Sequence, residues 1–309
     1  MQALLDVIIP VFLAIGFGYA AVWRGYLEDK HIEGLLRFSQ NFLFPVLLFQ
    51  AIARMDLAAA FNAPLMVSFY TGSLASFAAC LLAARYLFRR EIEDAVAIGF
   101  GGMFANSLML GLPITERAYG AGALGPNFAI VAVHAPFCYG VGITVMEIVR
   151  ARGQSVAKLP GTVARAMFKN ALVIGIGLGF IVNFLNFPVP GAVMDAISIL
   201  SRAALPVALF GMGGVLVRYR PRGDMKVIAF VCLSSLVLHP SVVWMMGTWN
   251  GLSQGEFRSA VLTASMPPGI NIYVFALLYG RAQKVAASAV LLGTALSIGS
   301  IWVWLNVLP

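Results

Sequence analysis

The chain has 309 residues, 60% of them hydrophobic and only 11% charged, with a formal net charge of +8. A soluble domain carries about 25% charged residues, so this composition, with a mean hydropathy of +0.88, excludes an ordinary water-soluble globule. The basic residues lie between apolar runs and not on one patch, which excludes a nucleic-acid-binding surface as their purpose.

Taken in chain order, runs long enough to cross a bilayer fall near 4–22, 35–53, 65–87, 94–120, 126–149, 169–185, 192–217, 226–248, 256–281 and 285–307. The first has no basic residue ahead of it and Arg24 behind it, the reverse of a secretory signal, and is expected to be a retained span. Cys80, Cys138 and Cys232 all fall inside these runs, without metal or disulfide spacing, and are read as small buried hydrophobes.

Ten spans put both termini on one side. The connections 1–2, 3–4, 5–6, 7–8 and 9–10 then carry seventeen Lys and Arg, among them Arg24, Arg85, Arg152, Lys158, Arg165, Lys169, Arg218 and Arg281. The opposite connections carry three, Arg54, Arg117 and Arg258, and Arg202 falls within a span. Basic connections face the cytoplasm, so both termini are expected to be periplasmic or extracellular, in a multi-pass protein of the cell (inner) membrane.

A shift of 161 residues aligns the first five spans with the second five. Ile15-Gly16-Phe17-Gly18-Tyr19 falls on Ile176-Gly177-Leu178-Gly179-Phe180, and Pro45-Val46-Leu47-Leu48-Phe49 on Pro206-Val207-Ala208-Leu209-Phe210. A five-helix unit has an odd number of crossings, so its second copy enters the membrane inverted. The expected organisation is a first repeat at 1–150, a cytoplasmic linker at 151–168 and an inverted second repeat at 169–309. Inverted repeats typify secondary transporters, with the substrate near the midplane where the repeats meet.

Two spans are interrupted near their centres, the fourth by 106–113 and the ninth by 266–271. Proline lacks an N–H and clashes with the carbonyl four residues earlier, so Pro113 frees the carbonyl of Met109, and Pro267 and Pro268 free those of Thr263 and Ala264. Such breaks survive in a membrane only beside protein or a watery cavity. The half-helices that follow aim positive dipole ends at the midplane. The pattern points to an anion site, with Asn106, Ser107 and Asn271 as hydrogen-bonding groups and Pro113, Pro267 and Pro268 setting its shape.

Arg202, one turn before Pro206 in the middle of the seventh span, is a second candidate ligand for a carboxylate, or a structural partner of Asp195; the shift of 161 places Asn41 opposite it. An ionisable residue at that depth is by default a functional hypothesis. His134 and His239, in the fifth and eighth spans, are candidates for proton coupling. No span has an acidic residue at its centre, and no HExxH, Walker A, GxSxG or paired-aspartate motif occurs. No enzyme, metal or cofactor is expected.

The interrupted spans also carry a family resemblance. Ala105-Asn106 through Gly111-Leu112-Pro113 to Tyr119-Gly120 resembles the first crossover of the auxin efflux carrier family. Met266-Pro267 through Asn271 to Leu278-Tyr279-Gly280 resembles the second, and 205–210 its seventh helix. The similarity runs over essentially the whole chain. Bacterial members of that family include malonate and malate transporter-like proteins; inverted-repeat transporters of the bile acid/sodium symporter type are more distantly similar.

The resemblance implies an all-α membrane protein of ten transmembrane helices, two inverted five-helix repeats with broken, crossing helices 4 and 9. It implies scaffold helices 1, 2, 6 and 7, a mobile transport domain of helices 3–5 and 8–10, and a homodimer. By motif position, Asn106 corresponds to an asparagine implicated in substrate contact in plant relatives, and Pro113, Pro267 and Asn271 match other crossover positions. Plant exporters carry an acidic residue in the third helix that is absent here, so their coupling is not carried over. The expected function is a secondary carrier of a small organic anion, a carboxylate, by alternating access of elevator type, with a proton or sodium ion as candidate coupled ions. The alternatives are a cation–proton antiporter-like carrier, which would need an intramembrane carboxylate, and a non-transporting membrane receptor for a small anion.

Overall fold

The computed structural model describes residues 2, 4–151 and 171–309. The expected linker beyond Ala151, with Arg152, Lys158 and Arg165, lies outside the described residues, as does Lys169 at the head of the expected sixth span.

The helices are α1 (Leu4–Trp23), α2 (Asp29–Arg54), α3 (Ala63–Leu87), α4 (Ile92–Met103), α5 (107–119), α6 (Ala121–Ala151), α7 (Ala171–Phe184), α8 (Gly191–Leu216), α9 (Met225–Trp249), α10 (Gln254–Ala264), α11 (Asn271–Tyr279) and α12 (Gln283–Val307). Among the described residues there is no strand; one isolated antiparallel bridge pairs Ala105 with Pro268. Seven helices (α1, α2, α3, α6, α8, α9 and α12) are long and apolar enough to cross a membrane, and α7 is a shorter apolar helix. The expected fourth and ninth spans are each two short helices separated by irregular backbone.

Prolines shape these helices without always ending them. Wide turns, hydrogen-bonded from i to i+5, occupy Ser39–Leu43, Ser107–Gly111 and Ser234–Leu238. Each stops two residues before a proline: Pro45, Pro113 and Pro240. Widening the backbone there makes room for a ring that would otherwise strike the preceding turn. Helix starts are capped locally, by Asn62 for α3, Asp224 for α9 and a Ser253–Glu256 capping box for α10.

Two bodies can be distinguished by packing and charge. In the first, α1 lies along α8 and α7 along α2. Glycine permits the close approach: a Cβ on Gly18 would strike the carbonyl of Phe210, one on Gly213 that of Ile15, and one on Gly175 that of Pro45. Small residues let membrane helices meet backbone to backbone. Arg218, just past α8, ties this body together through Asp29 at 3.0 Å and Glu33 at 2.9 Å.

The second body holds α3–α6 and α9–α12. Arg281 pairs with Glu91 at 2.7 Å and Glu93 at 3.0 Å, Arg150 with Glu93 at 3.2 Å, and Arg90 with Asp224 at 2.8 Å. Among the described residues no ion pair joins one body to the other. Large apolar side chains on the outside of α1 and α7, such as Phe17, Ile181 and Phe184, are exposed.

Candidate functional site

The two breaks meet face to face. The Asn106 amide donates to the Pro267 carbonyl at 2.8 Å, and the Gly269 amide to the Phe104 carbonyl at 2.9 Å. A shift of 163 residues turns each bond into the other, so the bridge has a local two-fold symmetry. Serines support it symmetrically. Ser73 donates to the Met103 carbonyl and Ser235 to the Met266 carbonyl, both at 3.2 Å, where α4 and the stretch after α10 lose regular partners. Gly293 of α12 leaves space for Pro268, whose ring a Cβ there would meet at 2.7 Å.

A cavity of about 320 Å³ opens beside this bridge, between the two bodies. Its lining includes Asn106, Ser107, Asn271 and His134 from the second body and Gln40 and Asn41 from α2. Among the described residues, its lining includes no Asp, Glu, Lys or Arg. Asn106 is 5% exposed, and its amide nitrogen approaches Met212 Sδ at 3.3 Å. The Asn271 Oδ1 accepts from the Tyr139 hydroxyl at 3.2 Å, which leaves its amide nitrogen as a free donor. The backbone amides of Leu108, Met109, Ile270 and Asn271 carry no hydrogen bond to a described residue. These are the unsatisfied donors expected at helix N-termini, and they favour an anion.

The structure brings together Asn106, Ser107, Asn271 and His134. Pro267 and Pro268 lie behind them, one supplying the bridge carbonyl and the other packing on Gly293. Pro113 and Arg202 are elsewhere, in a second cavity of about 440 Å³ that also takes Pro10, Glu116 and Arg117. Arg202 is exposed there and makes no hydrogen bond or ion pair with a described residue, Asp195 included. Depth along a helix is legible in a sequence; the direction in which a side chain leaves the helix is set by packing. Gln40 and Asn41, which line the first cavity, and Tyr139, which bonds Asn271, are not among the candidates expected from sequence. The adjacent amides of Gln40 and Asn41 within an apolar run were the available signal.

The two histidines are not equivalent. His134 is 2% exposed, lines the first cavity and lies edge-on to Phe104, with ring centroids 4.8 Å apart. His239 is fully buried behind Phe69, whose ring stands 5.2 Å from it and 5.6 Å from His134. Neither nitrogen of His239 has a hydrogen-bond partner among the described residues, which costs about 1–3 kcal/mol for such a group.

Comparison with known proteins agrees with this architecture. A family profile described as "Membrane transport protein" matches residues 3–305. A Rhizobium meliloti (strain 1021) protein named "Putative malonate transporter" is 25% identical over 303 residues, covering 97% of this chain and 94% of its own length. An uncharacterized transporter of Methanocaldococcus jannaschii is 19% identical over 316 residues, 97% of both chains. Auxin efflux carrier component 1 of Arabidopsis thaliana is 29% identical over 117 residues, 37% of this chain and 18% of that longer one. The chain is a multi-pass membrane transporter and belongs to the membrane transport protein family, the family of the auxin efflux carriers, in its malonate transporter-like branch.

Proposed function

We propose that the chain is a secondary carrier of a small organic anion, most simply a short dicarboxylate, which binds in the first cavity against the paired breaks. The observation that carries this reading is the cluster of neutral donors at one spot. The amides of Asn106 and Asn271, the hydroxyl of Ser107 and the unbonded backbone N–H groups at two helix starts all border one cavity. A carboxylate accepting several such bonds is held without a fixed countercharge, so it can leave again. The malonate named for the Rhizobium relative fits that chemistry.

In this reading the protein has ten membrane crossings in two inverted repeats, with the breaks as crossing helices 4 and 9 and the boundaries at 150 and 169 expected from sequence. The body of α1, α2, α7 and α8 is a scaffold that carries the homodimer contact, and the other body moves through it as an elevator. The protein sits in the cell inner membrane with both termini outside, as the basic asymmetry favours. Of the two histidines, His134, which lines the cavity, is the one proposed to exchange a proton with a bound anion. A malonate-driven pH change that survives in His134→Gln would take that role from it.

The test is net flux into proteoliposomes for malonate and a panel of short mono- and dicarboxylates. Saturable uptake of at least one of them is the expected result. Binding without flux would make the protein a receptor, and neither binding nor flux would remove the carboxylate reading.

A further inference from the structure

The two cavities are counterparts. Of the eight residues that α2 and α7 give the first cavity, six correspond through the shift of 161 to residues that α8 and α1 give the second. Gln40, Phe44 and Leu48 fall on Ser201, Leu205 and Leu209; Ala171 and Leu172 fall on Pro10 and Val11. The sixth pair is Asn41 and Arg202. One wall has thus been built twice and turned over. The first cavity reaches Ala171 and Leu172, at the basic-side end of α7; the second reaches Pro10, Glu116 and Arg117, toward the opposite side.

The walls match in shape and differ in charge. Among the described residues the first has no charged side chain, whereas the second has Arg202, Arg117 and Glu116. Arg117 is already engaged, donating from Nε to the Asp6 carbonyl at 3.0 Å. Arg202 is unengaged among the described residues, and a cation at that depth is costly unless water or an anion accompanies it. In an inverted-repeat carrier the second conformation exchanges the roles of the two repeats around the site. Applied to these walls, the exchange moves the bridge of Ala105 and Pro268 from the Asn41 wall to the Arg202 wall.

We propose that Arg202 is the outward-state partner of the substrate carboxylate, taking the place that Asn41 holds in the inward state, so that the carrier binds its anion more tightly from outside. This rests on the carrier reading above and adds a sidedness to it. The planar guanidinium grips a carboxylate through two donors, which one side-chain amide cannot match. A ligand gripped better in one conformation also shifts the population toward that conformation. Capture at low outside concentration is therefore favoured, and inward movement of the loaded carrier becomes the slower step.

Uptake of radiolabelled malonate into right-side-out and inside-out membrane vesicles, at zero potential and without ion gradients, tests this. Detailed balance then makes Vmax/KM equal in the two directions, so sidedness appears as a ratio of KM values. The wild type should have the lower KM from outside. Arg202→Gln should raise the outside-to-inside KM ratio about tenfold, the effect of losing one charge-assisted hydrogen bond, and Arg202→Lys should fall between. The exchange Asn41→Arg with Arg202→Asn preserves the total charge and should reverse the sidedness, which keeps the test alive if the single variant fails to fold. A ratio unchanged in Arg202→Gln, or sidedness that the exchange does not reverse, overturns the proposal and leaves the carrier reading standing. A wild type that moves no malonate in either direction removes the dicarboxylate reading and this inference with it.

Discussion

The first cavity would meet a carboxylate with neutral donors on paired helix starts, and the second with a guanidinium on an unbroken helix. Their walls match, since six lining residues of α2 and α7 correspond through a shift of 161 to lining residues of α8 and α1. They differ in what the second body presents. The bridge of Ala105 and Pro268 stands at the first cavity, whereas the flank of α5, with Pro113, Glu116 and Arg117, stands at the second. The lesson is that two walls matching residue for residue can differ in charge, here at the pair Asn41 and Arg202.

If the shared wall is rigid, loosening it should cost most. Gly213→Ala places a Cβ against the carbonyl of Ile15, so α1 and α8 must separate. Overpacking of that kind costs about 3 kcal/mol, and loss of monodisperse protein on size-exclusion chromatography is expected. A well-folded Gly213→Ala protein would break the notion of a rigid wall.

The next effect concerns the bridge itself. Pro268→Ala removes the ring packed on Gly293 and restores an N–H, while the two bridge hydrogen bonds use the Pro267 carbonyl and the Gly269 amide. A proline inside a helix costs about 3 kcal/mol, so its removal favours joining α10 to α11. Malonate flux should fall markedly while the melting temperature holds or rises. Wild-type flux in this variant would reduce the break to a packing kink.

The smallest effect lies in the charge cluster of the second body. Hydrogen bonding to Arg281, with Arg150 adding to it, holds the Glu93 carboxyl below its ordinary value of 4.5. A depressed carboxylate stabilises the fold above its unfolded pKa and loses that contribution as pH falls through the folded value. Glu93→Gln should therefore lower Tm by about 1–2 °C at pH 7, as exposed pairs contribute little, and the difference from wild type should vanish well below pH 4.5. An equal difference at both pH values would mean that packing, not charge, is lost.

Much of this arrangement was legible before any coordinates. A break in each of the expected fourth and ninth spans was legible because proline and asparagine interrupt apolar runs at matching depths, but in the fourth the irregular backbone lies at 104–106, ahead of most of the expected 106–113, and Pro113 sits inside the helix that follows. The shift of 161 was visible because glycine and proline recur at one offset. What escaped was azimuth. Arg202 lies at midplane depth and was grouped with Asn106 for that reason, yet α8 turns it into the other cavity. Tyr139 was hidden likewise, since an aromatic residue in an apolar helix gives no sign that its hydroxyl reaches Asn271. Periodicity could not reveal either, because helices buried among other helices have no single polar face.

The central claim is that the substrate carboxylate is held by the donors at the paired breaks. Its most direct test is the affinity of purified protein for malonate, measured by isothermal titration for wild type, Asn106→Ala and Asn271→Ala. Both variants leave the main-chain bridge in place, because its bonds are backbone to backbone. Each should weaken binding by about 1–2 kcal/mol, the range for a hydrogen bond to a charged group, with Tm close to wild type. Wild-type affinity in both would contradict the account and send the search for the site away from the bridge.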